Sequence, residues 1–385
     1  MRDRRERIYL NIAFISHASV LNGAPISLAE LVEEILRKRT QETISMGWPV
    51  SGPILNNYDL SGAEIFFYAG GFGGREILVT RPKIRKKLQK IFTEKKVDLV
   101  IANSLESFRA VQAASARRIP VIWMIHELMT AYRDRRELPE MRSAAQQADR
   151  LIFNSRSSLD LSPELGEGIK EKSGVIYPGI HIPTQIADRR IIRRDLGLEV
   201  KGIVLGCIGD ICPQKGVEAL IRAFGIISRS LPEVRLLIIG RTPERYRGFK
   251  DRLMDICREL DLSEMVEFSG EKLDLPRWFS VLDLLIHPSG RESFGRVIIE
   301  ALAREIPVVA ARSGGAEEIL TDGETGFLVP VKDPEALAGA VLSMIDNPAR
   351  SRDMAQRGRT EVKEKYSITR TAMGLKEEIK RIMRL

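Results

Sequence analysis

Asp-x-Asp occurs nowhere in this 385-residue chain, and no helix opens on Gly-x-Gly-x-x-Gly. The first absence removes the paired aspartates that elsewhere hold a divalent metal against a diphosphate. The second removes the dinucleotide fingerprint of an oxidoreductase, which also needs an acid about 20 residues further on. Cysteine is scarce. Cys207, Cys212 and Cys257 form no Cys-x-x-Cys pair and leave an odd count, which fits reduced thiols in the cytosol better than a disulfide framework and implies no zinc. Long apolar runs are missing too: Val204-Leu-Gly-Cys-Ile208 and Leu282-Asp-Leu-Leu-Ile286 are strand-length, well short of the roughly 20 residues a membrane span requires. The opening MRDRRERIYLNIAFIS has neither a long apolar region nor a small-residue cleavage site, so it does not read as a signal peptide. No low-complexity linker and no short-period repeat is present.

What is there describes a well-packed globular protein. Hydrophobic residues make up 44% and charged residues 29% of 385, a length that exceeds one ordinary core and implies two domains. The formal charge is +8 and the pI near 9.4, which favours anionic partners without choosing among them. Two basic clusters, Arg81-Pro-Lys-Ile-Arg-Lys-Lys87 and Arg189-Arg-Ile-Ile-Arg-Arg194, have helical spacing. Each reads as a solvated helix face, with a membrane-surface patch as the alternative.

Short β-branched runs alternate with amphipathic stretches. In the first half, residues 12–15, 97–101, 121–125 and 150–153 read as buried strands, with helices over 26–38 and 84–95. After Tyr177-Pro-Gly-Ile-His-Ile-Pro183 the pattern restarts, with strands over 203–208, 234–239, 266–269, 284–287 and 308–311. This is βαβ grammar, so the fold class is α/β with two mostly parallel, doubly wound sheets. The Pro-Gly stretch at 178–183 is the hinge candidate. Residues 1–180 and 181–370 form the expected domains, and a last helix over 371–385 is free to pack on either.

One stretch carries chemistry: Pro288-Ser-Gly-Arg-Glu-Ser-Phe-Gly-Arg-Val-Ile-Ile-Glu300. Open α/β sheets bind ligands at the carboxyl ends of their strands, where helix N-termini present unpaired amides. Here a strand runs into a glycine-rich loop, Ser293 reads as the helix N-cap, and the amides of Phe294, Gly295 and Arg296 fall in the first turn. Glu292 and Glu300 flank that anion site, on the order of 12 Å apart if the interval is helical. A carboxylate accepts hydrogen bonds from paired hydroxyls and repels phosphate, so the layout suits a diphosphate with a sugar at each end. The spacing by itself carries nothing, because Glu34 with Glu42 and Glu259 with Glu267 share it. Lys215, in Gly209-Asp-Ile-Cys-Pro-Gln-Lys-Gly216, adds a mobile cation to a loop before a helix, unless it is an ordinary solvated lysine.

Over nearly its whole length, and most strongly over residues 202–331 with PSGRESFGRVIIEALAREIPVVAARSGGAEEILTDGETGFLVP, the chain resembles the retaining glycosyltransferases of the GT-B fold in the group called glycosyl transferases group 1, family 4. The resemblance implies two Rossmann-like domains facing across a cleft, an acceptor-side domain first and a nucleotide-sugar-binding domain second. It implies transfer of a sugar from a nucleoside-diphosphate donor to a hydroxyl of a glycan, lipid or small molecule, without metal and with no cofactor beyond the donor. Nucleic acid is not an implied partner. A cytoplasmic location is implied, with peripheral contact at the anionic inner face of the cell membrane.

By the same resemblance, His126 and Glu292 are catalytic. Lys215, Glu292, Ser293, Phe294, Gly295, Glu300 and Arg241 bind donor, and Gly23 and Ala24, in Asn22-Gly-Ala-Pro-Ile-Ser27, form the acceptor-side loop, which otherwise reads as a plain strand-to-helix turn. Glu127 either orients the ring of His126 or meets acceptor. Glu318 matches a glutamate near the nucleotide, and Glu317 reads equally as a first-turn carboxylate. His181 and His287 read as structural. The family's arginine after the first loop glycine is replaced by Asp210, with Arg241 and Arg291 as candidate substitutes. A non-enzymatic GT-B relative that binds carbohydrate is the alternative.

Overall fold

A computed structural model describes residues 10–20, 23–38, 42–69, 82–132, 136–186, 188–197 and 202–385. Asn22, Arg81 and residues 70–74 lie outside them. The chain divides into two compact units, one of Met1–His181 with Ser367–Leu385 and one of Ile182–Tyr366.

The first unit is built on seven strands: β1 (Asn11–Ser16), β2 (Thr43–Trp48), β3 (Glu64–Phe67), β4 (Leu99–Asn103), β5 (Val121–Ile125), β6 (Arg150–Phe153) and β7 (Ser173–Val175). They pair in parallel in the order β3-β2-β1-β4-β5-β6-β7. Every residue of β4 and β5 is buried, as it must be when helices cover both faces of a parallel sheet. Sequence patterning missed β2, β3 and β7. The sequence TISMGW is broken by a glycine, EIFF is a short edge strand, and SGV has only one branched apolar residue. None offers a run that periodicity can detect.

The second unit holds β8 (Val204–Ile208), β9 (Arg235–Ile239), β10 (Val266–Gly270), β11 (Leu284–His287), β12 (Val308–Ala311) and β13 (Phe327–Val329). Their order is β10-β9-β8-β11-β12-β13, again parallel. The helix Val217–Ser230 buries Leu220, Ile221, Phe224 and Ile227, one face at the 3.6-residue period. In each sheet the strand order reverses once, between β1 and β4 and between β8 and β11. Those reversals open a crevice at the carboxyl ends of the strands.

The last helix spans Ile368–Met383, three residues earlier than the pattern indicated. Ser367 bridges Ile180, and the Thr371 hydroxyl donates to the Tyr177 carbonyl at 2.9 Å. The helix packs on the first unit, burying Leu375 and Ile379 in its core. Glu378 receives both Nε and Nη2 of Arg150, at 2.8 and 3.0 Å.

Candidate active site

In the second unit three loops converge at the carboxyl ends of β8, β11 and β12. Gly216 has φ +70°, and a Cβ there would stand 2.1 Å from the Pro288 carbonyl oxygen. Only glycine supplies that φ without strain and that close an approach. The contact brings the Lys215 loop against the 288–295 loop, and the Gly290 amide donates to the Gln214 carbonyl at 3.3 Å. On the other side Ser313 Oγ donates to the Ser289 carbonyl at 2.7 Å, and the Gly315 amide donates to the Glu292 carbonyl at 3.2 Å.

The helix after this loop is Arg296–Leu302 and its N-cap is Gly295, at φ +98° and ψ +48°. This corrects the expectation that Ser293 caps it with Phe294 and Gly295 in the first turn. A left-handed residue ends the loop's path before any helical turn can form, so the turn starts one residue after the glycine. The Phe294 side chain is buried edge-on against Tyr366, with ring centroids 5.5 Å apart. What Phe294 can offer a ligand is backbone.

Every acid of the motif already holds a base. Lys215 Nζ donates to Glu292 Oε2 at 2.6 Å, and His287 Nε2 lies 3.2 Å from the same oxygen. Burial pushes the Glu292 carboxyl up, but the Lys215 ammonium and His287 outweigh it and hold the carboxyl well below the usual carboxylate range. Burial likewise pulls the Lys215 ammonium down, and Glu292 returns it above the ordinary lysine value. Glu300 receives Arg296 Nε at 2.7 Å. Asp210 receives Nε and Nη2 of Arg241 at 3.1 and 3.3 Å. The aspartate that departs from the family pattern is thus paired with one of its candidate substitutes, and the tips of β8 and β9 carry the pair. Gly240 lets those tips touch, since a Cβ on it would stand 1.9 Å from the Gly209 carbonyl oxygen. Arg291 and Glu317 are exposed, and Glu317 lies 3.8 Å from Arg312. Glu318 is half-buried, and its carbonyl accepts from the Tyr366 hydroxyl at 2.9 Å.

In the first unit His126 follows β5, and a polar cluster surrounds it. Its Nε2 is 2.7 Å from Asn103 Oδ1, and its carbonyl accepts from Asn154 Nδ2 at 3.0 Å. Glu127 accepts from the Ser104 hydroxyl, the Leu105 amide (3.0 Å) and the His126 amide (3.1 Å). Its carboxylate therefore fastens strand ends, and the ring of His126 is oriented by Asn103 instead. Ser104 sits at φ +83°, a conformation those bonds help to hold. Gly23 begins the helix Gly23–Arg37, and a Cβ on it would meet nothing within 4 Å. Packing within the described residues does not account for that glycine. His181 lies 3.4 Å from Glu33, remote from this cluster in the sequence and tied to the first helix. No group of three His, Cys, Asp or Glu among the described residues is placed to hold a metal ion.

Two family models divide the chain between them: Glycosyltransferase Family 4 over residues 22–182 and Glycosyl transferases group 1 over residues 188–361. The chain belongs to the group 1 glycosyltransferase family. Among relatives of this group 1 chain, a D-inositol 3-phosphate glycosyltransferase of Mycobacterium sp. (strain KMS) is 34% identical over 226 residues, 56% of this chain and 51% of the relative. The lipopolysaccharide core biosynthesis mannosyltransferase LpsB of Rhizobium meliloti (strain 1021) is 26% identical over 51% of this chain and 57% of its own length. The chain spans about half the length of these relatives. Anabaena HepE, solved with UDP-glucose, superposes with a TM-score of 0.84 at 23% identity, covering 97% of this chain and 100% of that one. Sucrose-phosphate synthase from Thermosynechococcus elongatus gives 0.82 at 22% identity over 97% and 99%. The fold is GT-B, two parallel-sheet Rossmann-like domains.

Within the group 1 framework, sequence reasoning missed Asn103, Asn154 and Ser104, and set His287 aside as structural. A signal was there: an Asn-Ser pair stands at the carboxyl end of both β4 and β6, Asn103-Ser104 closing the first and Asn154-Ser155 following the second. Small polar pairs that close buried strands mark the crevice. His287 is buried within β11 and touches Glu292, which only the turn of the loop reveals.

Proposed function

We propose that the chain is a retaining glycosyltransferase that moves a sugar from a nucleoside-diphosphate donor to a hydroxyl of a glycan, lipid or small-molecule acceptor in cell-surface glycan or glycolipid synthesis. The observation that carries this is the Lys215–Glu292 pair at the reversal between β8 and β11. A lysine that its glutamate keeps charged there meets the donor diphosphate, and the ionised glutamate beside it accepts hydrogen bonds from the donor sugar's hydroxyls. Glu300 takes the ribose hydroxyls, and the backbone of Ser293, Phe294 and Gly295 lines the diphosphate. Arg241 is a second cation, supplied once it loosens from Asp210. His126 acts on transfer, and Gly23 and Ala24 line the acceptor side. The solved HepE structures hold UDP or UDP-glucose, which supports the donor class. The names of the relatives, an inositol phosphate glycosyltransferase and a lipopolysaccharide mannosyltransferase, support a hydroxyl acceptor and the surface-glycan context.

In this reading the acceptor oxygen bonds to the anomeric carbon as the bond from that carbon to the phosphate oxygen breaks. The electron pair stays on the diphosphate, which takes the acceptor's proton on the same face, so configuration is retained. The protein orients the two substrates and stabilises the departing charge through Lys215. No helix among the described residues is long and apolar enough to cross a membrane. A cytoplasmic site of work at an anionic membrane face is part of this reading, and the net charge of +8 is compatible with it.

Calorimetry against UDP, GDP and ADP tests the donor site. One of them binds, and Lys215→Ala weakens it by about tenfold or more. Turnover persists in excess chelator, and the product keeps the donor's anomeric configuration by NMR. Binding of none of the three nucleotides, an inverted product, or activity lost in chelator and restored by magnesium sinks the reading.

A further inference from the structure

Asn103 ends β4, is wholly buried, and stands where the strand order of the first sheet reverses. Its Nδ2 donates to the Ala24 carbonyl at 3.0 Å, and its Oδ1 stands 2.7 Å from His126 Nε2. A carbonyl oxygen only accepts, so the amide nitrogen must face Ala24. The flipped amide would put two oxygens 3.0 Å apart with no proton between them. The amide oxygen also only accepts, and it faces the imidazole. His126 Nε2 therefore carries a proton, and the accepting atom of a neutral ring is Nδ1. The backbone of His126 is held as well, through its amide to Glu127 and its carbonyl to Asn154.

We propose that Asn103 is a positioning residue for transfer, which holds the imidazole of His126 in the Nε2–H tautomer and ties its orientation to the Ala24 carbonyl. This rests on the reading of His126 as a residue of transfer. A substrate hydroxyl that meets the neutral ring donates to Nδ1. A shift of the helix start at Gly23 and Ala24 moves the Asn103 amide, and the ring follows. The opening of the first helix and the histidine after β5 thus act as one device, though more than 100 residues separate Ala24 from His126.

The test is nitrogen NMR of the full chain labelled at histidine, at pH about 8.5, where an ordinary imidazole is neutral. His126→Gln assigns the signal among the four histidines. The wild-type ring shows the Nε2–H tautomer. Asn103→Leu, of similar volume and without polar atoms, gives mixed tautomers and a kcat lower by on the order of tenfold, with nucleoside diphosphate affinity unchanged. Asn103→Asp keeps the acceptor toward Nε2 and loses the donor toward Ala24, so the tautomer stays while kcat falls. A wild-type ring protonated on Nδ1 overturns the proposal, and so does Asn103→Leu that folds and turns over normally. If the leucine variant does not fold, the wild-type spectrum and the aspartate variant decide. Normal transfer by His126→Ala defeats the histidine's role instead, a different failure, because the wild-type spectrum judges Asn103 without any turnover.

Discussion

Glu292 shows how far one residue's chemistry depends on its neighbours. Lys215 and His287 hold its carboxyl ionised below the usual range, against the upward push of burial. A carboxyl depressed in the folded state stabilises the fold above its unfolded value, about 4.3, and loses that contribution as pH falls through the folded value. Glu292→Gln is therefore less stable than wild type near neutrality, by about 1–3 kcal/mol. Urea unfolding from pH 7 downward should show that gap hold to about pH 4.3 and then narrow. A gap that does not change with pH shows that the pair is not the cause. Asp210 makes a second case. Its partner Arg241 spends its guanidinium on the aspartate, and the pair is about one-third exposed, so it contributes little stability. Asp210→Asn leaves the melting temperature nearly unchanged and releases Arg241 toward the diphosphate. Calorimetry should find nucleoside diphosphate binding tightened severalfold, less so in high salt. Weaker binding in that variant means that Asp210 itself meets the donor.

At the scale of elements, the site is a junction of loops, and glycines make the junction. The Lys215 loop meets the Pro288 loop only because Gly216 has no side chain, and the start of Gly314–Ile319 meets Phe294 only because Gly315 has none: a Cβ there would lie 2.2 Å from Phe294 Cα. Gly216→Ala must adopt a left-handed φ, a cost of about 1–2 kcal/mol, and must also move Pro288. Two measurements check this. Thermal unfolding should fall by several degrees, and nucleoside diphosphate affinity should fall with it, since Lys215 is the preceding residue. An alanine variant with native melting and native affinity means that the loops are not fixed at this contact. Gly23 differs, for no described atom crowds it, so Gly23→Ala keeps its stability, and any loss appears in turnover alone.

At the scale of the whole molecule, the chain leaves the first unit at His181 and returns to it at Ser367. The helix Ile368–Met383 therefore completes a core that its sequence neighbours do not share. Leu375 is fully buried in that core, and Leu375→Ala costs about 2–5 kcal/mol. Glu378→Ala leaves the half-buried guanidinium of Arg150 without its carboxylate, a loss of about 1–3 kcal/mol. Both changes act on the first unit, so denaturation followed by tryptophan fluorescence should shift the transition reported by Trp48 and Trp123, which are buried there. A shift confined to the transition of residues 182–366 contradicts the assignment of the helix.

The βαβ alternation, the two doubly wound halves, the loop from Pro288 to Glu300 and its family were all legible in the sequence. Each rests on local signals: buried branched runs, helical periodicity, and glycines at fixed offsets between a strand and a helix. Those signals come from neighbours a few residues apart, so the chain spells them out directly. Tertiary structure alone decided which charges meet. Lys215 and Glu292 are 77 residues apart and Asp210 and Arg241 are 31 apart. Asn103 faces Ala24 and His126 from 79 and 23 residues away. The last helix reaches Arg150 across 228 residues. Side-chain electrostatics depends on distances of a few ångströms in space, and no one-dimensional spacing encodes them. Burial, which opposes the charged forms of Glu292 and Lys215, likewise exists only once the sheets have folded.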